Sequence, residues 1–121
     1  MESIMLNQDI IKEHINFDHL KMIVGNDEES FKGFLQVIKS ELSNSLKDLE
    51  NHYQSGDLAA LKKAAHKLKG TALSAAMNKL SAIAIILNKP TEIAEGQLGE
   101  MMQQLREETT HILSLIHEKN Q

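Results

Sequence analysis

Cysteine is absent from this chain of 121 residues, which excludes a disulfide framework, a thiolate metal site and a thiol nucleophile. A reducing compartment agrees with that absence, and a cytoplasmic location is the expectation. Tryptophan is absent too, and one proline, six glycines, one tyrosine and three phenylalanines offer little to sheets and loops. Long apolar runs are also lacking: the longest, Leu80 to Leu87, spans eight residues with Ser81 inside it, against the ~20 needed to cross a bilayer. Met1 to Glu13 does not read as a secretory leader, because Glu2, Asp9 and Glu13 interrupt it.

What is abundant is Leu, Ile, Ala, Lys and Glu, the residues that favour helix. The length suits one domain, able to bury roughly two thirds of its unfolded surface around a single core. The formal net charge of −4 averages two unlike parts. From Leu58 to Thr91 there are six lysines (Lys62, Lys63, Lys67, Lys69, Lys79, Lys89) and no acid, which leaves seven basic residues against all seventeen acidic ones elsewhere. A basic face on an acidic protein can steer an acidic partner. A solvated lysine face with no task has the same composition.

No repeat, low-complexity block or linker divides the chain. Asn16 can cap a short helix from Phe17 to Val24 that Gly25-Asn26 breaks. Asp27 starts a long helix whose apolar positions Phe31, Phe34, Leu35, Ile38, Leu42, Leu46, Leu49 and Tyr53 recur on one face. Gly56 can close it in the left-handed conformation, and Asp57 can cap the next. There Leu58, Leu61, Ala65, Leu68, Ala72 and Ala75 step by three or four as a narrow core stripe. A break follows near Met77-Asn78, with Asn78 expected to cap a helix carrying Leu80, Ile83, Ala84 and Leu87 until Pro90 stops it. The last segment shows Leu98, Met101, Met102, Leu105, Thr109, Ile112 and Ile116 on one face, with Gly96 and Gly99 loosening its start. The six methionines read as core filling. The expected architecture is all-α: an antiparallel up-and-down four-helix bundle with a short extra N-terminal helix, in which residues 1–15 lead into a single domain over 16–121.

At ~100° per residue, His66 lies about 120° from the centre of its helix's core stripe, so its ring should project into solvent. Lys62 stands one turn before it, Lys69 and Gly70 one turn after, and Leu73 two turns after. An accessible imidazole can offer a neutral nitrogen as nucleophile near pH 7. Lys69 and Lys62 can each present an ammonium to phosphoryl oxygens. A mid-helix glycine costs roughly 1 kcal/mol relative to Ala, so Gly70 calls for a steric reason, and room beside the ring for a phosphoryl group supplies one. Leu73 would offer a docking protein an apolar contact. Taken alone, a surface histidine between lysines is usually only a surface histidine.

The spacing changes that reading. Ala65-His66-Lys67-Leu68-Lys69-Gly70-Thr71 resembles the His-x-Leu-Lys-Gly signature of histidine-containing phosphotransfer domains, intermediates of multistep two-component phosphorelays. Phe17-Asp18-His19-Leu20, Gly25-Asn26-Asp27-Glu28-Glu29, the long helix from Phe31 and Ser55-Gly56-Asp57 extend the likeness over Asn16 to Pro90. The resemblance implies His66 as phosphoryl acceptor, Lys69 as the lysine that neutralises phosphate and Gly70 as the glycine that clears space. Family members often place Gln or Glu about 22 residues after the histidine, where this chain has Asn88. Asn88 can still accept a hydrogen bond from the ring and orient it, over a shorter reach. A second departure is Ala76, where the pattern usually has Gly. If that residue must be left-handed Ala is a poor choice, so the helix is expected to continue or turn differently.

His14, His19, His52, His111 and His117 lack the i, i+4 pairing of a helical metal site. Gly96-Gln97-Leu98-Gly99 lacks the ending of a phosphate loop, so ATP binding and kinase activity are not expected. With Arg106 as the single arginine and no aromatic ring near His66, nucleic-acid binding is not expected either. The expectation is therefore a monomeric phosphorelay intermediate without a cofactor of its own. It would exchange a phosphoryl group between His66 and the aspartate of response-regulator receiver domains or a hybrid sensor kinase, with Mg²⁺ on the receiver. Lys62, Lys63, Lys67, Lys69 and Leu73 would form the docking face. A non-catalytic helical adaptor that binds receivers without taking phosphate is the alternative, kept open by Asn88 and Ala76.

Overall fold

After a helical stretch at residues 11–14, three short polar side chains begin the next three helices by accepting backbone N–H groups that would otherwise lack partners. In the computed structural model, which describes residues 11–121, Asn16 Oδ1 accepts from His19 N–H at 3.1 Å and opens α1 (Phe17–Val24). Asp27 accepts from Glu29 N–H and from Ser30 Oγ, opening α2 (Glu28–Ser55). Asp57 accepts from Ala60 N–H at 3.0 Å and opens α3 (Leu58–Ser74). Gly56 ends α2 with φ 73°, the left-handed geometry expected of it.

The turn after α3 departs from expectation. Ala76 takes φ 55°, so the helix neither continues nor finds another way to turn. The Met77 N–H donates to Ala72 C=O at 2.8 Å and the Ala76 N–H to Leu73 C=O at 3.3 Å, the paired bonds of a Schellman ending with Ala where Gly is usual. Met77, Ala72 and Ala75 are all buried at this ending. Asn78 does not cap the next helix: it is the first residue of α4 (Asn78–Leu87), and the cap position falls to Met77, which makes no side-chain cap bond. Packing decides this, since Met77 is wholly buried. Pro90 then starts a single 3₁₀ turn, Pro90–Glu92, and Gly96 with φ 86° precedes α5 (Gln97–Lys119).

The protein is all-α, a four-helix bundle in which α2 packs on α3, α3 on α4, α4 on α5 and α5 back on α2, with α1 against the start of α2. Phe31, Leu35, Ile38, Leu42 and Leu49 meet Leu61, Ala65, Leu68, Ala72, Leu80, Leu87, Leu105, Ile112 and Ile116 in one core. Each fully buried Leu or Ile contributes about 1.5–3 kcal/mol of transfer free energy. Two residues expected on the core face, Tyr53 and Leu58, are exposed, because both stand where α2 and α3 run out at the end of the bundle. Met77 and Met102 fill the core, whereas Met22 is exposed on α1; Met1 and Met5 lie outside the described residues. His14 and Ile15, assigned by sequence to the lead segment, are both buried against the bundle. No described helix is long and apolar enough to cross a membrane.

Candidate functional site

Because α3 buries Leu61, Ala65, Leu68 and Ala72, residues between these steps must face outward. His66 is one of them, exposed near the middle of the helix. Asp57 lies at the cap and no acidic residue follows in α3, so the surface around the ring is basic. α4 runs back beside α3, and its last turn brings Asn88 to the same place. An open hollow is lined by Ala59, Lys62, Lys63 and His66 of α3 together with Asn88.

Of the residues singled out by sequence, this hollow unites four: His66, Lys62, Lys63 and Asn88. Asn88 is half-buried and forms the C-cap of α4. Lys67 and Gly70 line a second, neighbouring groove between α3 and α2 that Phe34, Ile38 and Glu41 complete, with Gly70 still one helical turn from His66. Lys69 is half-buried and Leu73 is 58% exposed; neither lines the hollow. A Cβ placed on Gly70 would meet no atom within 4 Å, so nothing inside the chain requires glycine there. The space it leaves is open to solvent and to whatever docks.

A family model described as Hpt domain matches residues 33–114. The chain belongs to the Hpt domain family. Hpt domains are phosphocarrier modules rather than kinases, and a phosphotransfer role in two-component signalling follows from membership. No curated protein and no solved structure matches the chain significantly.

Ala59 was not anticipated in this Hpt domain: it lines the hollow from seven residues before His66, two helical turns away, a spacing readable only once the mouth of the hollow is known. A second cluster also went unread. Glu108 sits on the buried face of α5 with its side chain only 3% exposed, 2.6 Å from His14 Nδ1 and 3.9 Å from Lys79 Nζ. The His14 and His111 rings lie 4.3 Å apart. Among the described residues no group of three or more His, Cys, Asp or Glu is placed to hold a metal ion.

Proposed function

We propose that His66 is the phosphoryl acceptor of this Hpt domain and that it exchanges the group with an aspartate on a receiver domain. A neutral ring nitrogen attacks phosphorus, the N–P bond forms as the aspartyl O–P bond breaks, and the carboxylate departs with the electron pair. The reverse reaction loads a second receiver. The receiver brings Mg²⁺ to neutralise the transferring group, while this chain supplies the nucleophile and the ammonium groups of Lys69 and Lys62. Asn88, across the hollow, is the residue that would hold the ring as it reacts. Partners are receiver domains or a hybrid sensor kinase, the setting is the cytoplasm, and the protein acts as a monomer.

One observation carries this reading: an exposed imidazole in mid-helix shares a basic hollow with Lys62, Lys63 and Asn88, with an uncovered glycine one turn away. The test mixes the protein with a ³²P-labelled receiver. Wild type should take the label in a form stable to alkali and lost in acid, and His66→Gln should take none. Equal labelling of His66→Gln removes the assignment, and receiver binding without any labelling favours the adaptor.

A further inference from the structure

The left-handed turns at Ala76 and at Gly56 are built from the same pair of backbone bonds. Gly56 N–H donates to Tyr53 C=O and Asp57 N–H to His52 C=O; Ala76 N–H donates to Leu73 C=O and Met77 N–H to Ala72 C=O. Glycine adopts this geometry at little cost, whereas a side chain at φ 55° crowds the following carbonyl. The alanine ending has one bond that the glycine ending lacks. Asn16 N–H donates to Ala76 C=O at 3.2 Å, and among the described residues no such bond reaches Gly56 C=O.

That extra bond comes from a stretch fastened at three consecutive residues. Ile15 is wholly buried in the core, His14 Nδ1 lies 2.6 Å from Glu108 Oε2, and Asn16 reaches Ala76. Glu108 Oε1 is in turn 3.9 Å from Nζ of Lys79, in the first turn of α4. The contacts close a circuit: from the Ala76 carbonyl to Asn16, two residues back to His14, across to Glu108 on α5, and through Lys79 back to the turn between α3 and α4. Neighbouring residues in one such network are energetically coupled, so freeing one anchor weakens the others. His14, Ile15 and Asn16 all precede residues 33–114, the stretch matched by the Hpt domain model.

We infer that residues 14–16 are a strap that holds the turn after α3 in its left-handed form. Seated, the strap supplies an N–H to Ala76 C=O and ties both sides of the turn to α5. Released, it leaves Ala76 to return to the right-handed region; the Ala76 and Met77 bonds are then lost and the last turn of α3 frays. That turn, residues 71–74, follows directly on Gly70 in the helix that bears His66. The strap couples the lead stretch to the end of the histidine helix, and it does so whether or not His66 carries a phosphoryl group.

Hydrogen exchange of the full chain, read amide by amide, tests this. His14→Ala removes the ring that meets Glu108. Asn16→Pro removes the N–H that reaches Ala76, with Asn16→Ala as the control that loses the α1 cap and keeps that N–H. Both strap variants should speed exchange at the Ala75, Ala76 and Met77 amides about tenfold or more relative to the Gly56 and Asp57 amides, and Asn16→Ala should leave that ratio within about threefold of wild type. Adding Ala76→Gly, which turns left-handed without help, should bring the ratio in His14→Ala back to within about threefold of that in Ala76→Gly alone. A strap that adds only general stability would speed both endings alike and would not be rescued selectively by glycine; either result overturns the proposal, as does an unchanged ratio in His14→Ala. Where Asn16→Pro does not fold, the comparison of His14→Ala with and without Ala76→Gly decides.

Discussion

His14 Nδ1 lies 2.6 Å from Glu108 Oε2, tying the stretch before α1 to the middle of α5 across 94 residues of sequence. The carboxylate is almost wholly buried, and its second partner, Lys79, is 3.9 Å away. Removing the imidazole leaves a buried charge with one distant counter-ion, so His14→Ala should cost about 3 kcal/mol. Glu108→Gln keeps an oxygen that can accept from His14 and should cost less, about 1 kcal/mol. Urea denaturation of both variants measures the difference; equal, negligible losses would mean that the pair holds nothing.

Ala76 sits at φ 55°, a conformation that costs an L-residue roughly 1–2 kcal/mol. Glycine relieves that strain but loses more entropy on folding, by about 0.4–1 kcal/mol. Ala76→Gly should therefore stabilise the protein by about 0.5–1 kcal/mol. Thermal unfolding reads the gain, and a destabilised variant would show that the turn accommodates Ala without strain.

Gly70 separates folding from function. With no atom within 4 Å of an added Cβ, Gly70→Ala should raise stability by about 1 kcal/mol through helix propensity. The same methyl group occupies space that an approaching receiver needs beside His66, and displacement of the reacting atoms by a fraction of an ångström should slow transfer at least about tenfold. Stability and phosphotransfer measured on the same preparation should move in opposite directions; unchanged transfer would deny the glycine its steric role.

Lys69 is half-buried on α3, three residues after His66. Lys69→Ala should slow transfer on the order of 10- to 100-fold by removing a charge from the transition state, with unfolding changed by less than about 0.5 kcal/mol. Transfer by wild type should also weaken between low and high salt as the lysines around the site are screened. A rate for Lys69→Ala equal to wild type at every salt concentration would remove that lysine from the chemistry.

Helix positions were legible in the sequence because their determinants are local. Asn16, Asp27 and Asp57 cap the helices they precede, Gly56 closes one, and the three-or-four spacing of Leu61, Ala65, Leu68 and Ala72 decides which way α3 faces. The exposure of His66 follows from the same periodicity. What periodicity cannot supply is the neighbour across a groove. Asn88 and Ala59 come to the hollow from positions separated by 29 residues, and only the packing of α4 against α3 unites them.

Local rules also failed where burial overrode them. Asn78 is the better capping residue, yet Met77 takes the cap because the core claims its side chain; Ala76 accepts a glycine's geometry because two backbone bonds and a buried methionine hold the turn closed. Glu108 reads in sequence as a solvated acid and is enclosed, its carboxylate 2.6 Å from the ring of a histidine near the other end of the chain. Sequence by itself determined the main helices of the bundle, the caps at Asn16, Asp27 and Asp57 and the basic, outward placement of His66, since these depend on residues within one or two turns. Tertiary structure alone decided which lysines share the hollow with His66, which apolar residues stay uncovered on α4 and how a buried carboxylate is paired, because each depends on groups brought together only when distant surfaces leave water.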